Sequence, residues 1–265
     1  MGKIIAIANQ KGGVGKTTTS VNLAASLAAT RRRVLLIDID PQGNATMGSG
    51  VDKHSVEATA YDVLLEIARV DEVVIKLERA GYSIIIPGNG DLTAAEVELL
   101  KMGEGQHSLR RALAPVVDNY DYILIDCPPS LNMLTINALV AATSVMIPMQ
   151  CEYYALEGLS ALLGTIESIR SSLNPNLQIE GLLRTMFDPR NNLANDVTAQ
   201  LTQHFGEKLY RTVIPRNVRL AEAPSHGLPV LLFDKASRGA EAYLALAGEM
   251  LRREMVDVPV SGVVP

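Results

Sequence analysis

Two cysteines, Cys127 and Cys151, stand far apart in a chain of 265 residues. So small a supply excludes a disulfide framework and fits a reducing, cytoplasmic setting. The four histidines, His54, His107, His204 and His226, lack metal-ligand spacing, which excludes a transition-metal site. No apolar run approaches the roughly 20 residues that span a bilayer. The start of the chain lacks the charged, apolar and cleavage regions of a signal peptide. There is no excess of positive charge either: 24 Lys and Arg against 29 Asp and Glu leave a net charge of −5. That argues against general affinity for nucleic acid and leaves room only for a local basic patch. Linkers, internal repeats and low-complexity segments are also missing. What remains is an ordinary globular composition, 48% hydrophobic and 20% charged. The economical expectation is one domain over residues 1–255, with a loose tail over 256–265.

The most informative stretch is Lys11-Gly12-Gly13-Val14-Gly15-Lys16-Thr17-Thr18. It follows the apolar run Ile4 to Ala8, of buried-strand type, and precedes Ser20 to Ala29, which reads as a helix. Strand, glycine-rich loop and helix together form the context of a phosphate-binding loop. Glycines let successive N–H groups point at an anion, and the helix N-terminus adds partial positive charge. Lys16 would reach the β- and γ-phosphates, and the Thr17 hydroxyl would ligate Mg²⁺. The loop departs from the usual pattern, with Gln10 where the first glycine belongs and a second lysine, Lys11, at its start.

Other strands end in carboxylates. Residues 34–37 form a buried run leading into Asp38-Ile39-Asp40-Pro41-Gln42-Gly43-Asn44. Tyr122 to Ile125 runs into Asp126-Cys127-Pro128-Pro129-Ser130, in the manner of a Walker B strand whose aspartate holds Mg²⁺. Ligands of open parallel sheets lie at the carboxyl ends of strands, so Asp38, Asp40 and Asp126 should meet near the loop. Further strands are expected at Tyr82–Ile86, Val145–Met149, Ile179–Met186 and Val213–Pro215. Helices are expected over 57–79, Leu92–Leu100 (Thr93 as cap), Leu109–Val117 (kinked or ended at Pro115), Leu156–Ser171 and Ala240–Met255. This alternation predicts an α/β fold: a single doubly wound, mainly parallel sheet with helices on both faces.

With these motifs in view, the chain resembles the ParA/Soj branch of the ParA/MinD ATPases, whose P-loop has the deviant form K-G-G-x-G-K-[ST]. The resemblance extends through Asp38-Ile39-Asp40-Pro41-Gln42-Gly43-Asn44, the Asp126 segment and Ile214-Pro215-Arg216-Asn217-Val218-Arg219. It implies the P-loop NTPase fold, ATP and Mg²⁺ as cofactors, slow hydrolysis stimulated by a partner, and a homodimer when ATP is bound. It also implies that Lys11 reaches the partner subunit's nucleotide and that Asp40 orients the attacking water. Thr17, Asp38 and Asp126 would serve Mg²⁺, while Pro215 and Asn217, with Met186 or Phe187 nearby, would touch adenine.

The same resemblance implies nonspecific double-stranded DNA as a ligand, a ParB-type centromere-binding protein as partner, and a nucleoid-associated place in the cytoplasm. Arg190 and Arg219 match positions that carry DNA binding in the branch, and Arg216, Lys235 and Arg238 gather nearby in sequence. Phosphate contacts of this kind are independent of sequence and sensitive to salt. The strand beginning by Ile4 leaves no room for a preceding helix-turn-helix region, which fits nonspecific binding. Other readings of the same loop are a MinD-like membrane-cycling protein, positioning of a non-DNA cargo, and an iron–sulfur reductase relative using Cys127 and Cys151. The last helix lacks a lysine-rich apolar face, which speaks against the membrane. Neither cysteine has the glycine-rich context of a cluster ligand.

Overall fold

The computed structural model describes residues 2–77 and 84–257. Its strands are β1 (Lys3–Ile7), β2 (Val34–Asp38), β3 (Ile75–Lys76), β4 (Ile84–Ile86), β5 (Tyr122–Asp126), β6 (Ser144–Gln150) and β7 (Gln178–Thr185). They form one sheet in the order β3-β4-β2-β5-β1-β6-β7. Every neighbouring pair is parallel except β3 with β4.

The central strands are apolar almost throughout because helices cover both faces. Alternate residues supply two cores. Ile4, Ala6, Leu35, Ile37, Ile123 and Ile125 face one layer. Ile5, Ile7, Val34, Leu36, Tyr122 and Leu124 face the other. The second layer is covered by α1 (Lys16–Ala29) and the closing helix Arg238–Asp257. The first is covered by helices that include Leu92–Lys101, Met133–Ala141, Ala155–Ser172 and Asn192–Phe205. Burying a Leu or Ile in such a core contributes about 1.5–3 kcal/mol.

The chain departs from its sequence pattern in several places. Residues 57–79 do not form one helix. Thr59 and Asp62 cap a short helix at Ala60–Leu64, and Glu66 then adopts a left-handed backbone (φ 60) that ends it. Glu72 accepts the Arg69 N–H to begin a second turn at Val70–Val73, followed by β3. Thr93 lies inside its helix and caps nothing; that helix starts at Leu92 without a side-chain cap. The helix expected over Leu109–Val117 spans Ser108–Leu113 and stops before Pro115, whose ring supplies no N–H. Tyr82 and Ser83 lie outside the described residues, so the strand expected there is seen only as Ile84–Ile86. The closing helix runs through Asp257, past the expected start of the tail; residues 258–265 lie outside the described residues.

Val213–Pro215 is not a strand. Only isolated bridges, Leu182 with Leu209 and Phe187 with Pro215, tie this segment to β7. Between them Arg184 donates Nη2 to the carbonyls of Tyr210 (2.9 Å) and Arg211 (3.2 Å). Backbone bonds from the Ile214 N–H to the Arg184 carbonyl (2.9 Å) and from the Phe187 N–H to the Ile214 carbonyl (3.0 Å) accompany the second bridge without extending into a ladder.

Candidate functional site

β1, β5 and β2 deliver the loop and the acids to one place. Ile7 lies opposite Asp126, and Asp126 lies opposite Asp38, so the ends of three adjacent strands share one level. Gly13 (φ 72) and Gly15 (φ 85) both take the left-handed backbone that lets the loop reverse into α1. A Cβ on Gly12 or Gly13 would meet nothing within 4 Å, so this side of the loop is open to solvent and to a ligand. Thr185 at the end of β7 donates Oγ1 to the Val14 carbonyl (2.8 Å) and holds the loop from behind.

Lys16, the first residue of α1, is buried at 7% exposure. Its Nζ donates to the Lys11 carbonyl (3.1 Å), and among the described residues no carboxylate lies within ion-pairing distance. Desolvation lowers its pKa, opposed by the fields of Asp126, Cys127 and Asp40. A buried cation without a paired anion, beside an open glycine-rich loop at a helix N-terminus, fits a polyphosphate.

The acids are equally well placed. Thr17 Oγ1 donates to Asp126 Oδ2 (2.8 Å), and Ser20 Oγ, one turn along α1, donates to Oδ1 (2.7 Å). Asp38 accepts from the Asp40 N–H (3.1 Å), the Thr46 N–H (2.8 Å) and Thr46 Oγ1 (2.7 Å); Thr46 Oγ1 in turn accepts the Gly88 N–H (2.8 Å). Asp38 thereby braces the loop that carries Asp40. Asp40 receives the Gln42 N–H on Oδ1 (3.0 Å) and is 7% exposed. Burial pushes the Asp38 carboxyl up to about 6. Burial and the facing Asp38 push Asp126 up to about 8. Two acids and a hydroxyl forced together in a dry site are a donor set that a divalent cation fits.

Lys11 occupies the rim. Its N–H is held by Asn9 Oδ1 (3.0 Å), and its Nζ pairs with Glu152 at 2.6 Å. Thr18 sits at the same rim, where its carbonyl accepts Asn22 Nδ2 (2.7 Å). Met186, in a left-handed backbone (φ 48), precedes Phe187, whose N–H donates to the Ile214 carbonyl (3.0 Å). Phe187, the neighbour of Met186, forms a bridge with Pro215, two residues before Asn217. Asn217 caps the helix Val218–Glu222 by accepting the Arg219 N–H (3.0 Å).

The five basic residues lie in one exposed region. Arg190 pairs with Asp188 through two N–H groups (2.9 and 2.8 Å), and the Arg216 charge also acts on Asp188. Arg219 pairs with Glu222 (2.7 Å) and Asp234 (3.2 Å). Lys235 follows Asp234, and Arg238 opens the closing helix. This region rests on the nucleotide loop's own elements. Asn22 of α1 accepts the Val230 N–H (2.7 Å), and Gly50 packs backbone to backbone on Gly227.

No role for Ser20, Thr46, Glu152 or Thr185 was read from the sequence, although Thr46 and Thr185 lie in stretches that carry the resemblance. Ser20 was legible as the residue one helical turn after Thr17; Thr46 lies within the quoted Asp38 motif's continuation. Glu152 and Thr185 follow from strand ends brought together by topology alone.

A family model described as "AAA domain" matches residues 2–179. The sporulation initiation inhibitor protein Soj of Bacillus subtilis (strain 168) is 58% identical over 250 residues, 94% of this chain and 98% of that one. The chromosome partitioning protein ParA of Caulobacter vibrioides (strain NA1000 / CB15N) is 52% identical over 254 residues, 95% of each. Among solved structures, cobyrinic acid a,c-diamide synthase from Mycobacterium smegmatis with bound ADP and magnesium has a TM-score of 0.85 at 34% identity, covering 100% of both chains.

Proposed function

The chain belongs to the ParA/Soj family of chromosome-partitioning ATPases, and from that premise we propose a nucleotide-dependent dimerising switch that binds nonspecific DNA and acts in segregation with a ParB-type partner. The observation that carries the reading is Lys16, buried without a carboxylate partner and turned back on the carbonyl of Lys11 at the start of the glycine loop. Identity to Soj and ParA exceeds that to the diamide synthase, which favours partitioning over amide synthesis.

In this reading the loop N–H groups and Lys16 bind the phosphates of ATP, and Thr17 and Asp126, supported by Asp38, would hold Mg²⁺. Bound there, the cation would neutralise phosphate charge. Asp38 keeps the Asp40 loop in place through Thr46. Asp40 orients a water with the carboxylate oxygen that Gln42 leaves free. Lys11 exchanges Glu152 for the partner subunit's nucleotide, supplying the cation that two facing anionic ligands require. Met186, Pro215 and Asn217 form the wall for adenine. Slow turnover follows from reliance on water alignment alone, and a ParB-type segment would improve it.

Arg190, Arg216, Arg219, Lys235 and Arg238 contact DNA phosphates. A dimer doubles those contacts, which couples DNA affinity to ATP. A nucleoid-associated location follows. Among the described residues no helix is long and apolar enough to cross a membrane.

The test is size-exclusion chromatography with light scattering on Asp40→Ala, with ATP or ADP, followed by DNA binding on the same samples. The expected result is an ATP-only dimer that alone binds DNA. An ATP-only dimer that ignores DNA but sediments with liposomes would move the assignment to a MinD-like protein. One that ignores both would move it to another cargo. Normal turnover by Asp40→Ala would remove Asp40 from its role.

A further inference from the structure

The arginines of the basic region are not free. Arg190 is held by Asp188 in a two-pronged pair, and Asp188 also lies in the field of Arg216. Arg219 is held from two sides, by Glu222 on its own helix and by Asp234 on the next segment. Three carboxylates are thus interleaved with the cations that would meet DNA. All three pairs are solvent-accessible, and Asp188 stays ionised because Arg190 holds its carboxyl down to about 2. A guanidinium that gives two of its five N–H donors to carboxylates, with its charge largely matched, offers a phosphate fewer donors and less net charge.

We propose that Asp188, Glu222 and Asp234 are built-in competitors for DNA phosphate, which keep the monomer off DNA and make stable binding require two copies of the face. This rests on the DNA-binding reading above. Exposed ion pairs are weak, so each can yield to a phosphate on contact. Each nonetheless subtracts from every cation–phosphate contact. One protomer, with two of its arginines occupied, offers too little attraction against salt. Two protomers multiply their separate affinities, so a modest handicap per protomer becomes a steep dependence on dimerisation. The carboxylates therefore set the threshold of the switch without touching nucleotide.

The role is separable from folding. Asp188→Asn keeps the Oδ1 that accepts the Arg190 N–H, and among the described residues the Glu222 and Asp234 carboxylates pair with Arg219 alone. Amide variants remove charge and leave shape. Removing one competitor raises affinity roughly threefold per protomer, and about tenfold for a dimer.

The experiment is fluorescence anisotropy with a labelled duplex of arbitrary sequence, across a NaCl series, with ATP, ADP and no nucleotide. It compares the wild-type chain with Asp188→Asn and with the Glu222→Gln/Asp234→Asn pair. Glu167→Gln is the control, since Glu167 forms a similar exposed pair with Arg170 (3.0 Å) on the helix Ala155–Ser172. The expected result is about tenfold tighter binding with ATP by Asp188→Asn, and about a hundredfold by the pair variant, which removes two competitors. Their salt dependence should steepen by about 0.9 per freed arginine. They should also bind measurably with ADP, where wild type does not. ATPase rate and dimerisation should stay at wild-type values. Equal or weaker binding by the test variants would overturn the inference and make these carboxylates loop braces. An equal gain in Glu167→Gln would overturn it as an effect of net charge. Absence of DNA binding by every protein, wild type with ATP included, would overturn the DNA-binding reading itself, and the inference with it.

Discussion

The carboxyl ends of β1, β2 and β5 and the basic region beyond β7 both gather charge, but by opposite means. At the nucleotide loop the charges are few and dry: Lys16, Asp38 and Asp126 are each below a tenth exposed, and each is fixed by named hydrogen bonds. In the basic region the charges are many and wet, paired loosely with acids on neighbouring turns. Buried charges interact strongly and cannot be replaced by water, whereas exposed ones are screened within about 10 Å. The first region should respond to single changes as a unit, and the second in small increments.

That contrast sets the scale of the expected effects. Lys16→Ala should weaken ATP binding by at least ~100-fold, since a buried charged donor contributes about 1.5–3 kcal/mol per hydrogen bond. Calorimetric titration would measure it. Apoprotein melting should stay level or rise, because the variant removes a buried, unpaired cation. A fall in Tm would break the comparison at its strongest point.

Thr46→Val should cost roughly 2–3 kcal/mol of stability, because it strips a donor from Asp38 and leaves the Gly88 N–H without its acceptor. Turnover should fall with it, since the Asp40 loop loses its brace; melting and phosphate release on one preparation would read both. Arg219→Ala should weaken DNA binding of the ATP-bound dimer by about tenfold and reduce the salt slope by roughly 2, one phosphate per protomer. Nucleotide binding and dimerisation should not change. A loss of dimerisation would show that this residue belongs with the first region.

The smallest effect concerns pH. Asp126 titrates up to about 8 in the folded chain, above the 3.8 of an ordinary aspartate, because burial and Asp38 favour its protonated form. The fold therefore holds a proton that the unfolded chain releases. The stability this supplies is complete below about pH 4 and is lost as pH rises through about 8. Chelator-treated apoprotein should accordingly melt on the order of 5 °C lower at pH 9 than at pH 6. Mg²⁺ with nucleotide should flatten that slope, because a cation stabilises the ionised acids. A Tm rising with pH would show that other groups dominate.

The nucleotide region was the more legible in sequence, for the same physical reason. A buried strand shows as an apolar run, and an acid at its end stands out, so Asp38 and Asp126 could be brought together before any coordinates. The loop glycines and two lysines added chemistry with a fixed spacing. The helix over 57–79 misled because its apolar spacing is helical while Glu66 takes a left-handed turn that composition does not announce. Val213–Pro215 looked like a strand because β-formers dominate it, but its backbone pairs only around one bridge, Phe187 with Pro215, too short for a ladder. The Asn192–Phe205 helix, polar on its outer face, passed unread. The pairing of Arg219 with Asp234 spans fifteen residues and two loops, and no local rule reports it.

Gly50 and Gly227 touch where the loop after the Asp40 segment meets the basic region. Gly50 has φ 84 and Gly227 φ 62; a Cβ on Gly50 would lie 2.8 Å from the Gly227 oxygen, and one on Gly227 would lie 2.6 Å from the Gly50 Cα. Neither position can therefore drift. A methyl at either site pushes against backbone, and the only relief is to part the two loops. Each glycine is required on its own account, because the atoms it would meet on the other loop are backbone and stay there whatever side chain that position carries. A descendant that loses one glycine has to re-seat the arginine-bearing face on the nucleotide half as a whole.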